Sequence, residues 1–336
     1  MSTFDHNGPG LQGKLFGLPV ESDTADLVII PIPWEVTVTY KAGTAGAPAA
    51  VLQASNQIDL FHHFITEAWK IPVAMLPVSD NLNLENKSLR SLALTHIQAL
   101  ESGNEADTGK VITTKINEAG ENLNIYIKSQ AQNLLRAGKL VAVLGGDHST
   151  PLGLLRALAE KYERFGILQF DAHADLRKAY EGFTYSHGSI MFNALKLPAV
   201  SRMVQVGIRD YCEEELQMMQ RAGGRVKTFF DPDIKSQMAE GITWKQICDK
   251  IIQELPPLVY ISFDIDVFNP ALCPNTGTPV PGGLEFDQAT YLIRQVVKSG
   301  RKIIGFDLCE VGNEEWDASV GARMLWELSQ YAVSSR

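Results

Sequence analysis

The stretch FGILQFDAHAD, residues 165–175, joins a run of apolar residues to three ionisable side chains at alternating positions. The run is apolar on both faces, which is typical of a strand in a parallel sheet that is covered on both sides. Side chains of an extended segment alternate sides, so Asp171, His173 and Asp175 can point one way while the two small alanines point the other. The stretch therefore predicts a buried strand that ends in a cluster of polar side chains.

Similar apolar runs recur along the chain and alternate with helical patterns. The other predicted strands are DLVIIP (26–31), LVAVLG (140–145), MVQVGI (203–208), LVYISFD (258–264) and KIIGFDL (302–308). The predicted helices cover about 109–137, 150–162, 211–222, 243–255, 285–299 and 319–332. This alternation predicts an α/β fold, in which a parallel sheet is covered by helices on both faces.

Three connecting segments carry local signals. Thr150 is expected to cap the helix at 150–162, with Pro151 at its first position, where a missing N–H does no harm. The polar segment 80–110 shows no clear pattern and is expected to be a surface excursion. The Pro/Gly-rich segment 269–283 predicts a long irregular loop, and loops of that length inside a compact domain are often functional.

The composition limits the classes of protein to which the chain can belong. The chain has 336 residues, 45% of them apolar, and we expect one domain over 1–336 with residues 1–24 as an N-terminal extension. The net charge of −9 argues against a nucleic acid or an anionic membrane as partner, because both attract Lys and Arg. The scattered cysteines form no C-x-x-C pair, and neither a signal peptide nor a membrane-spanning stretch is visible. These features predict a cytoplasmic protein with free thiols.

Acidic and imidazole side chains follow four of the predicted strands. The strand at 140–145 leads to His148, the strand at 258–264 ends in Asp264 and is followed by Asp266, and the strand at 302–308 leads to Glu310. Ligands of an open parallel sheet bind at the carboxyl ends of its strands. We therefore expect these side chains to meet those of the 171–175 segment at one edge of the sheet.

The combined inventory predicts a metal site with two ions. Carboxylates gathered so closely repel each other, and burial increases the cost, unless cations neutralise them. Two-metal hydrolytic sites hold their ions about 3.5–4 Å apart and share bridging carboxylates. Oxygen donors with two imidazoles and no thiolate favour Mn²⁺, with Co²⁺, Fe²⁺ or Ni²⁺ as alternatives, and disfavour structural zinc. The predicted ligands are His148, Asp171, His173, Asp175, Asp264 and Asp266.

The charge of such a site narrows the reaction. Two divalent ions offset four aspartates, and Glu310 adds a further negative charge, so a cationic substrate fits better than a phosphate ester. A guanidinium group is planar, permanently charged and binds carboxylates through paired hydrogen bonds. Because it is a poor electrophile, its hydrolysis needs a water molecule whose pKa the ions bring down toward neutrality. A Ser149–His148 nucleophile pair is disfavoured, because adjacent residues rarely face each other as such a pair requires.

The motifs that carry this chemistry resemble those of the arginase–agmatinase, or ureohydrolase, family. The resemblance spans roughly residues 25–332, nearly the whole chain. It rests on GGDHS (145–149), DAHAD (171–175), SHGS (186–189), SFDIDVFNP (262–270) and GFDLCEV (305–311). It implies a single arginase-like catalytic domain of three α/β/α layers around a central, mainly parallel eight-stranded sheet. It also implies hydrolysis of guanidino or amidino groups with two Mn²⁺ ions, and a homo-oligomer, a trimer or hexamer.

The resemblance also implies a role for each matching residue. One metal would be held by His148, Asp171, Asp175 and Asp264, and the other by Asp171, His173, Asp264 and Asp266, with Asp171 and Asp264 bridging. Asp175 would in addition orient the attacking water. His187 matches the family's proton-shuttle histidine, and Glu310 matches the carboxylate that binds the guanidinium.

The substrate follows less directly from the resemblance. The segment LRKAYEGFTY (176–185) lacks the Asn/Ser/Thr-rich pattern by which arginases read the head group of L-arginine, and it looks like a branch of prokaryotic agmatinases. We therefore favour agmatine, hydrolysed to putrescine and urea, as in polyamine biosynthesis. If Arg177 or Lys178 faced the pocket, an anionic tail would fit better; we expect both to face solvent or to pair structurally.

Other functions remain open at this point. The same site could serve a formimidoylglutamase, a guanidinobutyrase, a guanidine hydrolase or an arginase. A zinc deacetylase of related architecture would hold one ion through two Asp and one His, and the extra donors Asp175, Asp266 and His148 argue against it. A non-catalytic binding protein would be expected to have lost ligands, and none is missing from the sequence.

Overall fold

The protein is built around one eight-stranded sheet. The computed structural model describes residues 4–103 and 108–336. In chain order the strands are β1 (Leu27–Pro31), β2 (Val73–Met75), β3 (Leu140–Leu144), β4 (Phe165–Phe170), β5 (Val200–Ile208), β6 (Val226–Phe230), β7 (Leu258–Asp264) and β8 (Lys302–Cys309). They lie side by side in the order β2-β1-β3-β8-β7-β4-β5-β6, and every neighbouring pair is parallel.

Helices cover both faces of the sheet. They are α1 (Ala47–Ser55), α2 (Asp80–Glu101), α3 (Thr108–Arg136), α4 (Leu152–Lys161), α5 (Ile190–Ala194), α6 (Glu213–Arg221), α7 (Asp231–Ala239), α8 (Trp244–Gln253), α9 (Phe286–Lys298) and α10 (Glu315–Ser334). Apolar side chains of α1 and α7 to α10 form one buried cluster with the sheet, and those of α2 to α6 form a second. This arrangement confirms the predicted three-layer α/β/α fold. Within the described ranges, no helix is long and apolar enough to cross a bilayer.

The six predicted strands are present, and the two strands that the sequence did not indicate are both edges of the sheet. β2 has only three residues, and β6 is half-exposed over most of its length. An edge strand packs less on both faces than a central one, so its sequence lacks the continuous apolar run that marked the other strands.

Two local expectations were wrong. Most of the segment 80–110 forms helix α2, while residues 104–107 lie outside the described part. Leu89, Ala93 and Ile97 are buried along one face of α2 within an otherwise polar sequence. Helix α4 begins at Leu152, and Thr150 does not cap it: its hydroxyl donates a hydrogen bond to the carbonyl oxygen of Asp147 (3.1 Å).

The register of the central strands brings the predicted site together. Leu144 of β3 is paired with Leu308 of β8, Leu308 with Phe263 of β7, and Phe263 with Phe170 of β4. These four residues form one row across the middle of the sheet. The acidic and imidazole side chains that follow each of them therefore emerge at the same edge.

Candidate metal centre

Three carboxylates converge on the imidazole of His148. Its Nδ1 lies 3.0 Å from Asp171 Oδ2, 3.1 Å from Asp175 Oδ2 and 3.2 Å from Asp264 Oδ2. All four side chains are buried. Nδ1 of His148 is nevertheless without a hydrogen-bond partner among the described residues. A lone pair surrounded by carboxylate oxygens at this spacing fits the coordination shell of a metal ion.

A second group of donors forms around His173. Its Nδ1 lies 2.8 Å from Asp266 Oδ2 and 3.7 Å from Asp171 Oδ1. Asp171 thus offers one carboxylate oxygen to each group, which is the arrangement of a bridging ligand. The structure therefore brings together all six residues predicted as ligands, in two groups that share Asp171, and Asp264 joins the first group through its approach to His148 Nδ1.

Side chains behind His148 fix the orientation of its ring. Nε2 of His148 lies 2.9 Å from Ser262 Oγ, and Ser262 donates in turn to Asp307 Oδ2 (2.9 Å). Because the serine hydrogen points to Asp307, Ser262 accepts the proton of Nε2. This leaves the lone pair of Nδ1 facing the carboxylates, as a metal ligand requires. Asp307 is held in place by the Tyr260 hydroxyl (2.7 Å) and by the N–H of Phe263 (3.1 Å).

A row of buried amides supports Asp171 from the other side. Gln169 Nε2 donates to Asp171 Oδ2 (2.8 Å), Gln205 Nε2 donates to Gln169 Oε1 (2.7 Å), and the Thr228 hydroxyl donates to Gln205 Oε1 (2.8 Å). These residues lie on β4, β5 and β6. The row and the Ser262–Asp307 pair were not predicted from the sequence. The sequence feature that could have indicated them is a polar residue inside an apolar strand, because a buried polar group needs a hydrogen-bond partner.

The electrostatics of the site favour a bound cation. Burial and the charges of Asp266 and Asp171 raise the pKa of Asp264 well above its usual range. Burial and the charge of Asp171 raise the pKa of Asp175 to about 7. Burial by itself would lower the pKa of His148, but the surrounding carboxylates raise it well above its usual value. The carboxylates thus stabilise positive charge beside Nδ1, which is the charge that a metal ion would supply.

Glu310 presents a free carboxylate oxygen beside these groups. Its Oε1 accepts from the N–H of His148 (2.9 Å), while Oε2 is buried without a partner among the described residues. Burial and the charge of Asp147 raise the pKa of Glu310 well above its usual range. Oε2 borders a narrow slot, and a Cβ on Gly277 would come within 3.0 Å of it. Gly277 belongs to the predicted irregular loop at 269–283, which therefore contributes a wall of the site.

His187 lines the same slot. It also borders a wider outer cavity of about 150 Å³ together with His173 and Asp175. Burial, with the charges of His173 and His148, lowers the pKa of His187 to about 3. The imidazole is therefore neutral near pH 7 and has a nitrogen that can accept a proton.

The mouth of the outer cavity carries charges of both signs. Arg177 and Lys178 were expected to face solvent or to pair structurally. Arg177 lines the cavity, whereas Lys178 is exposed and does not line it. The guanidinium of Arg177 has a structural partner, since its Nε lies 3.9 Å from the buried carboxylate of Glu215. Asp210 also lines the mouth. A larger cavity of about 820 Å³ lies elsewhere, beside Trp69, and none of the metal-centre side chains lines it.

Comparison with known proteins identifies the family. The sequence model described as "Arginase family" matches residues 25–329. The chain belongs to the arginase family. It is 30% identical over 312 residues to the N(1)-aminopropylagmatine ureohydrolase of Thermus thermophilus, covering 91% of this chain and 90% of that protein. It is also 30% identical over 322 residues to an agmatinase of Klebsiella pneumoniae, covering 93% and 90%.

A solved structure supports the same fold for this arginase-family chain. The agmatine ureohydrolase of Thermoplasma volcanium matches 99% of this chain, and 96% of its own, with a TM-score of 0.74 and 22% sequence identity. The predicted family and enzyme class are thus confirmed: the chain is an arginase-family ureohydrolase. The family depends on a binuclear metal centre, and the two donor groups are the candidate for that centre.

Proposed function

We propose that the chain is a two-manganese hydrolase that cleaves agmatine to putrescine and urea. The observation that carries the proposal is the meeting of two carboxylate–imidazole groups and the unpartnered Glu310 oxygen at one edge of the sheet. The names of the relatives from Klebsiella and Thermus support a guanidino substrate with a cationic tail.

The residues in place fit two divalent ions. His148, Asp171, Asp175 and Asp264 would hold one ion, and Asp171, His173, Asp264 and Asp266 the other. When bound, the ions act as Lewis acids that lower the pKa of a water molecule and so supply a nucleophile near neutral pH. The oxygen-rich donor set with two imidazoles favours Mn²⁺ over softer ions.

Glu310 would bind the guanidinium. Its Oε2 is a buried acceptor with nothing to pair with among the described side chains, and a guanidinium offers planar N–H donors that match a carboxylate. Because Oε2 lies against Gly277 in a narrow slot, a planar group bound to it would have little freedom to move. Such positioning is itself a large part of catalysis.

His187 and Asp175 would handle protons. Asp175 lies within the first donor group, where its carboxylate would accept a hydrogen bond from the attacking water and orient it. His187 is outside both groups and borders slot and outer cavity alike, so its neutral imidazole would carry a proton to the leaving amine.

The mouth of the cavity favours a cationic tail over an anionic one. Glu215 offsets the charge of Arg177, and Asp210 adds a further carboxylate, which leaves the mouth net negative. An ammonium at the far end of agmatine would meet attraction there, and the carboxylate of guanidinobutyrate or formimidoylglutamate would meet repulsion.

A substrate panel tests the proposal. Manganese-loaded protein is assayed with agmatine, aminopropylagmatine, L-arginine, guanidinobutyrate and guanidine for urea, and with formimidoylglutamate for formamide. We expect agmatine to give the highest kcat/KM. If another compound of the panel is hydrolysed and agmatine is not, the substrate assignment is wrong. If no compound of the panel is hydrolysed, the proposed activity is wrong.

A further inference from the structure

The ring of His187 lacks the hydrogen bond that usually orients a catalytic imidazole. Its Nδ1 is buried and finds no partner in residues 4–103 and 108–336. An imidazole that transfers protons normally has its other nitrogen fixed by a carboxylate or carbonyl. Some other contact must therefore hold this ring in place.

The aromatic neighbour of His187 is Tyr180. The two rings stand perpendicular, at 87°, with their centroids 5.9 Å apart. This edge-to-face geometry is the favoured one for aromatic pairs, because the positive edge of one ring meets the negative face of the other. Both residues lie in the segment that follows the metal ligands of the 171–175 stretch, and both line the outer cavity.

Tyr180 is itself held by a charged side chain with a fixed partner. The guanidinium of Arg177 lies over the Tyr180 ring, 4.7 Å from its centroid, and Arg177 Nε is 3.9 Å from Glu215. The carboxylate of Glu215 is anchored in turn, because it accepts from the N–H groups of Leu176 (2.9 Å) and Cys212 (2.9 Å). Contacts thus run without a gap from a buried carboxylate to the Tyr180 ring.

The backbone closes the same segment into a loop. The N–H of Arg177 donates to the carbonyl oxygen of Gly188 (3.0 Å), next to His187. Tyr180 and Phe183 exchange two backbone hydrogen bonds, of 3.2 and 2.8 Å. The loop therefore brings the Tyr180 and His187 rings into edge-to-face contact although seven positions separate them in the sequence.

We propose that Tyr180, held by Arg177 and Glu215, is a positioning residue that orients the His187 imidazole for proton transfer. The proposal rests on the role given to His187 under the proposed function. Tyr180 acts through its ring, so the hydroxyl is dispensable and the aromatic face is required.

A double-mutant cycle tests the coupling. With the substrate that the panel identifies, Tyr180→Leu should lower kcat about 10-fold and change KM less than about 2-fold, because a small displacement of the reacting group costs turnover. Tyr180→Phe should restore kcat. In the His187→Ala background, Tyr180→Leu should have no further effect, since the two residues act as a unit.

Three further measurements separate positioning from general damage. Metal content and melting temperature should stay unchanged in Tyr180→Leu, and Tyr126→Leu, at an exposed position on α3, serves as the matched control. In metal-free protein with labelled histidine, the Hε1 resonance that His187→Ala removes should shift in Tyr180→Leu and not in Tyr180→Phe, because the ring current is lost only in the former.

Three results would overturn the inference. The first is an unchanged kcat in Tyr180→Leu, and the second is an equal loss of kcat with and without His187, which would mean that Tyr180 contacts the substrate or only stabilises the loop. The third is wild-type turnover in His187→Ala, which would also overturn the proton-transfer role. The first two results leave the proposed function intact.

Discussion

Replacing Ser262 with alanine should weaken metal binding although Ser262 is not itself a predicted ligand. Ser262 Oγ accepts the proton of His148 Nε2 at 2.9 Å, in a site with no solvent access. Without it, that N–H is buried and unpaired, which costs about 1–3 kcal/mol. The ring is then no longer fixed from behind, so an entering ion must restore the orientation in which Nδ1 faces the three carboxylates. The expected loss of affinity is about 10- to 100-fold.

The assay is a titration of metal-free protein with Mn²⁺ in competition with a fluorescent chelator. Ser329→Ala is the matched control, because Ser329 is also buried and its hydroxyl donates to a backbone carbonyl of its own helix, Leu325 O (2.6 Å). We expect Ser329→Ala to bind both ions as the wild type does. Wild-type affinity in Ser262→Ala would refute the assignment of Ser262 as the partner that orients the His148 ring.

Three further predictions concern the ions, the substrate and pH. Asp266→Ala should lose one ion of two, because Asp266 Oδ2 and His173 Nδ1 lie 2.8 Å apart in the second donor group; elemental analysis checks this, and two retained ions would contradict it. Glu310→Gln should keep both ions and lower kcat/KM at least about 30-fold, because a buried charge pair with the guanidinium is lost; urea release measures the loss, and a smaller effect would count against that contact. Burial and the charges of His173 and His148 lower the pKa of His187 to about 3, whereas the unfolded chain has an ordinary histidine near 6.5. As pH falls from about 6.5 toward 3, His187 binds a proton in the unfolded state but not in the native state, so the free energy of unfolding falls. Denaturant titrations of metal-free protein should show a steeper fall in the wild type than in His187→Gln, and equal slopes would rule out the lowered pKa.

The sequence allowed the ends of the central strands to be predicted, and with them the candidate ligands. Runs such as 258–264 are apolar on both faces, and each is followed by acidic or imidazole side chains. The expected two-residue alternation is not what places Asp266, because β7 ends at Asp264 and Asp266 lies in a 3-10 turn. The order of the strands could not be predicted in this way. β8 and β7 lie between β3 and β4 although they come much later in the chain. That placement depends on packing between distant segments, which no local pattern encodes.

The supporting side chains were missed for a different physical reason. Gln169 and Ser262 are single polar residues within apolar strands, and their role depends on what lies opposite them on the neighbouring strand. Gln205 meets Gln169, and Asp307 meets Ser262, only because of the register of the sheet. The position of Arg177 was likewise decided by a distant partner, the buried Glu215. The oligomeric state and the cytoplasmic location remain predictions.

A crystal of the protein grown with manganese, with diffraction recorded at the manganese absorption edge, tests the central claim most directly. The account predicts two anomalous peaks per chain, about 3.5–4 Å apart, one beside His148 Nδ1 and the other beside His173 Nδ1, with Asp171 between them. A single peak, or peaks away from these two imidazoles, would contradict it.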